Sequence, residues 1–131
     1  MFGRNRGGVM LGAIVVLVVG AAPRPAFAIK EFFDEFKAVY VKPDSADANE
    51  KALAAEVETA KCNVCHAGSS KKERNAYGNA LADLLDKKED KKNAEKIRKA
   101  LETVAAMPSA DGGPTFGDLL KQGKLPGGAA K

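Results

Sequence analysis

Residues 61–66 read KCNVCH, and positions 62–66 hold both cysteines and the single histidine of a 131-residue chain. Every thiol and imidazole the protein owns therefore falls within five consecutive residues. One disulfide is the most that two cysteines allow, and a Cys62–Cys65 bridge would close so short a loop that it adds little stability. A structural staple leaves His66 unexplained as well. The stretch asks for a ligand, and its flanks decide what kind of domain would present one.

Upstream of the motif, Asp47 followed three residues later by Glu50 has the form of a capped helix start. Leu53, Val57 and Ala60 then fall on one stripe that runs on to Val64. Further back, Phe32, Phe33, Phe36, Val39 and Tyr40 recur at helical spacing until Pro43 stops the run. Downstream, Ala67-Gly68-Ser69 reads as a loop and Ser70-Lys71-Lys72-Glu73 as a capping box. The box is followed by Tyr77, Ala80, Leu81, Leu84 and Leu85 on one face. Asn93 caps a further helix carrying Ile97, Leu101, Val104 and Ala105. The run MPSADGGPTFG, residues 107–117, carries two prolines and three glycines and reads as loop. Thr115 to Asp118 starts a last short helix with Phe116, Leu119 and Leu120, and the tail KLPGGAAK is expected to fray. No segment alternates with strand periodicity and no internal repeat is present. The expectation is an all-α domain of about four to five helices.

The amino-terminal residues 1–28 have a different character. Arg4 and Arg6 precede an uncharged apolar run, and Ala26-Phe27-Ala28 supplies a small-x-small cleavage site, the order of a secretory signal peptide. Between Arg6 and Arg24 lie 17 residues, short of the roughly 20 that a spanning helix wants. Cleavage after Ala28 is expected, leaving residues 29–131 as one small exported, periplasmic-type soluble domain. Membrane contact is expected only if the leader stays uncleaved.

That division changes the charge argument. The whole chain carries 21 basic and 17 acidic residues; the leader contributes three arginines and no acids, which leaves 18 against 17. A nucleic-acid footprint is not supported at that balance. Lys71, Lys72, Lys87, Lys88, Lys91 and Lys92 read first as solvated helix faces. The alternative reading is a docking surface for an acidic redox partner.

In an exported chain, Cys-x-x-Cys-His is the attachment signal for c-type haem. Each thiol adds across one vinyl group to give a thioether, and the adjacent imidazole presents a nitrogen to the iron. The rival readings fit less well. A thioredoxin-like Cys-x-x-Cys sits at a strand-to-helix turn in a βαβ pattern, which is missing here. A structural zinc needs four protein ligands, and Cys62, Cys65 and His66 leave it one short. A plain disulfide accounts for the cysteines alone.

With its leader, CNVCH pentapeptide and small helical domain, the chain resembles a monohaem cytochrome c of the class I kind. The specific match covers those five residues; the remainder is architecture. The resemblance implies a cytochrome c-like domain around one covalent haem c, with Cys62 and Cys65 as thioether residues and His66 as proximal iron ligand. It also implies electron transfer rather than enzymatic catalysis, with redox proteins as partners. Met107 is the one methionine outside the leader, stands before Pro108 and is the candidate distal ligand. A thioether is a soft neutral donor that favours ferrous iron. The alternative reading of Met107 is a gap filler on the stripe of VAAM, residues 104–107. With Met107 bound, the protein would be a one-electron carrier. Without it, a five-coordinate iron would suit small-ligand binding, sensing or weak peroxidase chemistry. Arg74 and Tyr77 are candidate partners for a haem propionate, each with a plain structural reading beside it.

Overall fold

Four helix starts among the described residues follow from side chains that accept a backbone N–H, at Asp47, Asn75, Asn93 and Thr115; the helix that begins after Ile29 has no such cap. A computed structural model describes residues 29–69 and 72–128. It contains five α-helices: α1 Lys30–Tyr40, α2 Ala48–Ala60, α3 Ala76–Leu84, α4 Ala94–Ala105 and α5 Phe116–Lys121. A single 3-10 turn, Lys61–Val64, follows α2 directly. The expected signal segment 1–28 lies outside the described residues. Among the described residues there is no strand, only the isolated bridges His66–Arg74 and Pro108–Thr115. No helix among them is long and apolar enough to cross a membrane.

Three of the expected caps form. The Asp47 side chain accepts from Asn49 N and Glu50 N at the start of α2. Asn93 accepts from Lys96 N at α4, and Thr115 with Asp118 makes a reciprocal capping box at α5. α1 stops at Val41, which turns extended two residues before Pro43. The capping box expected at residues 70–73 does not start α3. That helix begins at Ala76, capped by Asn75, whose side chain accepts from Gly78 N; Ser70 and Lys71 lie outside the described residues.

Packing then follows the apolar stripes. Phe36, Leu53, Val57, Val64, Tyr77, Ile97, Leu101, Val104 and Phe116 are buried in one core. Tyr77 stands at its centre, edge-on to Phe36 with ring centroids 5.9 Å apart and to Phe116 at 5.3 Å. Leu84, expected on the buried face of α3, is instead exposed. α1 is held to α4 by Tyr40 Oη donating to Leu101 O at 3.2 Å and by Arg98 Nε to Glu35 Oε2 at 2.6 Å.

Two surface expectations are corrected. Lys87, Lys88, Lys91 and Lys92 do not alternate along a helix; they are exposed on the connection between α3 and α4. That connection is built from its acids. Asp86 Oδ1 accepts from Lys88 N and Glu89 N, and Asp90 accepts from Asp86 N and from Lys96 Nζ at 2.7–2.8 Å. Asp90 is only 5 % exposed. The Lys96 ammonium, then the Asp86 amide, hold its carboxyl below the ordinary carboxylate range. A depressed folded-state pKa gives stability that is present above the unfolded pKa and lost as pH falls through the folded one. Asp90→Asn is therefore expected to unfold at a lower temperature than wild type at neutral pH. Thermal melts should show that gap closing as pH drops below the carboxylate range.

The tail is the second correction. Its part within the described residues does not fray: Leu125 is 4 % exposed and Pro126 is buried. The device is a Schellman stop to α5, in which Gly123 N bonds Leu120 O and Lys124 N bonds Leu119 O. Gly123 has φ 73°, and a Cβ there would lie 2.7 Å from Asn49 O. Glycine alone lets the chain reverse this close to α2.

Candidate functional site

The motif occupies the 3-10 turn and the two residues after it. Val64, the second spacer residue, is fully buried and anchors the turn in the core, while Cys62, Cys65 and His66 remain partly accessible. Both Cys65 N, at 3.3 Å, and His66 N, at 3.1 Å, donate to Cys62 O, which winds the five residues into one tight unit. Neither cysteine is bonded to the other.

Entry to the turn is strained. Lys61 has φ 49° and ψ −114° and is the sole positive-φ residue other than glycine among the described residues. An L side chain held there costs about 1–3 kcal/mol. Lys61→Gly is expected to raise the unfolding free energy by about 1 kcal/mol in denaturant titrations. Glycine relieves the strain at the cost of extra freedom in the unfolded chain.

The segment before α3 folds back over the turn and fixes it. His66 Nδ1 lies 3.1 Å from Glu73 O. A carbonyl can only accept, so Nδ1 is the donor and Nε2 is the nitrogen left outside this bond. Ala67 N donates to the same carbonyl and Asn75 N donates to Cys65 O, each at 3.1 Å. The Asn75 side chain then spans the two segments: Nδ2 donates to Val64 O at 3.0 Å and to Asn63 O at 3.3 Å, while Oδ1 accepts from Gly78 N at 2.9 Å. At Gly78 a Cβ would sit 2.0 Å from Cys65 O, so α3 rests directly on the motif backbone.

Burial, with a smaller contribution from Cys62, pushes the Cys65 thiol up to about 12. It is a protonated thiol at neutral pH. Among the described residues no group of three or more His, Cys, Asp and Glu side chains could hold a metal ion. Two unbonded thiols on one turn, followed by an imidazole engaged through Nδ1, make a donor set of the kind that a covalent haem uses.

Of the other candidates, Met107 lies on a separate element, while Arg74 and Tyr77 border the turn. Met107 is half-buried on the α4–α5 connection, its N bonded to Val104 O and its O accepting from Phe116 N. It packs against the same core as Cys65. The loop beyond it is closed by Ser109, whose N and Oγ both donate to Pro114 O. Tyr77 is wholly buried, and its hydroxyl has no hydrogen-bond partner among the described residues. Burial first, then Cys65, raise its pKa well above the ordinary tyrosine value. Arg74 is half-buried and bridges His66 through the backbone.

A groove of about 490 Å³ runs between α1, α2, α4 and α5, lined among others by Val39, Leu53, Ala106 and Leu120. None of the motif residues lines it.

The sequence reading missed Asn75, Gly78 and the carbonyl of Glu73. Asn75 had a local signal, a cap-type residue ahead of Ala76-Tyr77-Gly78. The roles of Gly78 and the Glu73 carbonyl arise only when α3 meets the turn. Compared with protein-family models, with curated proteins and with solved structures, the chain matches none.

Proposed function

We propose that this chain is an exported c-type cytochrome-like electron carrier. It would hold one haem through Cys62 and Cys65, with His66 as one axial ligand and Met107 as the other. The observation that supports this reading most is the commitment of His66 Nδ1 to Glu73 O, which leaves Nε2 as the coordinating atom. A hydrogen bond to the far ring nitrogen fixes the tautomer and ring orientation of metal-bound histidines. The haem would supply reversible one-electron chemistry at iron. The chain's own part is to hold it on a preformed turn and keep water away with the apolar core around Val64. The Met107 sulfur would favour the ferrous state. No catalytic residue is assigned.

Denaturing-gel haem staining of protein made in cells that attach haem covalently tests the proposal. Retained stain supports it; a colourless band with reversibly oxidised thiols would replace it with a thiol-redox protein. An optical spectrum then separates the axial alternatives. The carrier reading expects low-spin haem and a weak near-infrared sulfur-to-iron band that Met107→Ala abolishes while covalent haem stays. High-spin wild-type haem would give the five-coordinate, small-ligand reading instead.

The partner is proposed to be a redox protein with an acidic face. Supporting this, the Asp86 and Asp90 carboxylates are engaged within the α3–α4 connection, while Lys87, Lys88, Lys91 and Lys92 are exposed. Association through such a surface weakens as added salt screens it.

A further inference from the structure

We propose that the segment after α5, residues 125–128, is a strap that locks Asn75 and, through Asn75, sets how tightly the Cys62–His66 turn is held. Leu125 and Pro126 are buried, and Gly128 N closes a turn on Leu125 O at 3.2 Å. Between them Gly127 is laid against the Asn75 amide. A Cβ on Gly127 would lie 1.9 Å from Asn75 Nδ2, 2.3 Å from its Cγ and 2.7 Å from its Oδ1. That amide cannot step aside freely, because all three of its hydrogen bonds point elsewhere: to Asn63 O, to Val64 O and from Gly78 N. The chain thus stacks three layers, with the strap outside, the Asn75 amide in the middle and the motif backbone within. Asn75 is a positioning residue. It acts on Cys62, Cys65 and His66 only through the backbone of the turn, and the strap lies directly against its amide.

The attachment role of the turn rests on the proposed function, but the strap does not. Amide hydrogen exchange reads it whether or not the protein carries pigment, so failure of one idea leaves the other standing. Two variants of the full chain test it. Gly127→Ala pushes on the Asn75 amide from outside. Asn75→Asp keeps an acceptor for Gly78 N but loses the donor to Asn63 O and Val64 O. Both are expected to speed exchange at the Cys65, His66 and Asn75 amides by about tenfold or more, through local opening. Amides in the middle of α4, such as Leu101, should keep wild-type rates, and in Asn75→Asp the Gly78 amide should stay protected. Unchanged exchange across 62–66 in Gly127→Ala would overturn the proposal, whatever Asn75→Asp does. So would equal acceleration at every amide, which would mark a global loss of stability.

Discussion

Cys62→Ser combined with Cys65→Ser is expected to abolish all denaturant-resistant pigment while leaving a folded, helical chain. The two sulfurs are not bonded to each other, so their loss breaks no cross-link. Val64, which anchors the turn, is untouched. The structural cost is confined to Cys65, which packs against the core; a hydroxyl placed there costs about 1–3 kcal/mol. Circular dichroism should therefore show retained helix beside a complete loss of haem stain. Each single substitution should leave one covalent arm. His66→Ala, with both thiols in place, should change the spectrum by removing the only imidazole in the protein. Stain that survives in the double variant would place attachment elsewhere.

The second large effect is expected at Gly78. Glycine inside a helix normally loses about 1 kcal/mol relative to alanine, so Gly78→Ala would stabilise an isolated α3. In this fold the added methyl would meet Cys65 O at 2.0 Å and Cys65 C at 2.9 Å. Both are backbone atoms of a turn pinned by Asn75 and Glu73, and neither can rotate away. Either α3 lifts from the motif, breaking the Asn75 N to Cys65 O bond, or the turn itself shifts. Overpacking of this kind costs about 1–3 kcal/mol, occasionally more. We expect a net destabilisation of about 2 kcal/mol in denaturant titrations, together with lower haem incorporation. Asn79→Ala, one residue along on the exposed side of α3, should be neutral or slightly stabilising. A stable, fully pigmented Gly78→Ala would contradict the close approach.

How much of this was legible depends on how local each signal is. The caps at Asp47, Asn93 and Thr115 could be read directly, because the accepting side chain lies within three residues of its donor. The stripe from Leu53 to Val64 was legible for the same reason, since 3.6-residue periodicity carries across the end of α2. At residues 70–73 a sequence with the form of a capping box competed with Asn75. The real start is decided by Asn75 reaching Asn63 and Val64 across the fold, which no local window shows. The tail misled because its prolines and glycines resemble a frayed end. Its order comes from Leu125 entering a core that exists only once α5 has stopped against α2. In the candidate site, the residue types were legible and their support was not: the Glu73 carbonyl behind His66 is a backbone group, invisible to any motif. Met107 is placed on the core, on an element separate from the turn, and its ligation is left to the spectrum.

One determination reaches the central claim directly: the intact mass of the exported protein, isolated from cells able to attach haem and measured under denaturing conditions. The account predicts a chain beginning at Ile29 that is heavier than its peptide by one haem. A mass equal to that of the peptide alone, from a colourless preparation, would contradict it.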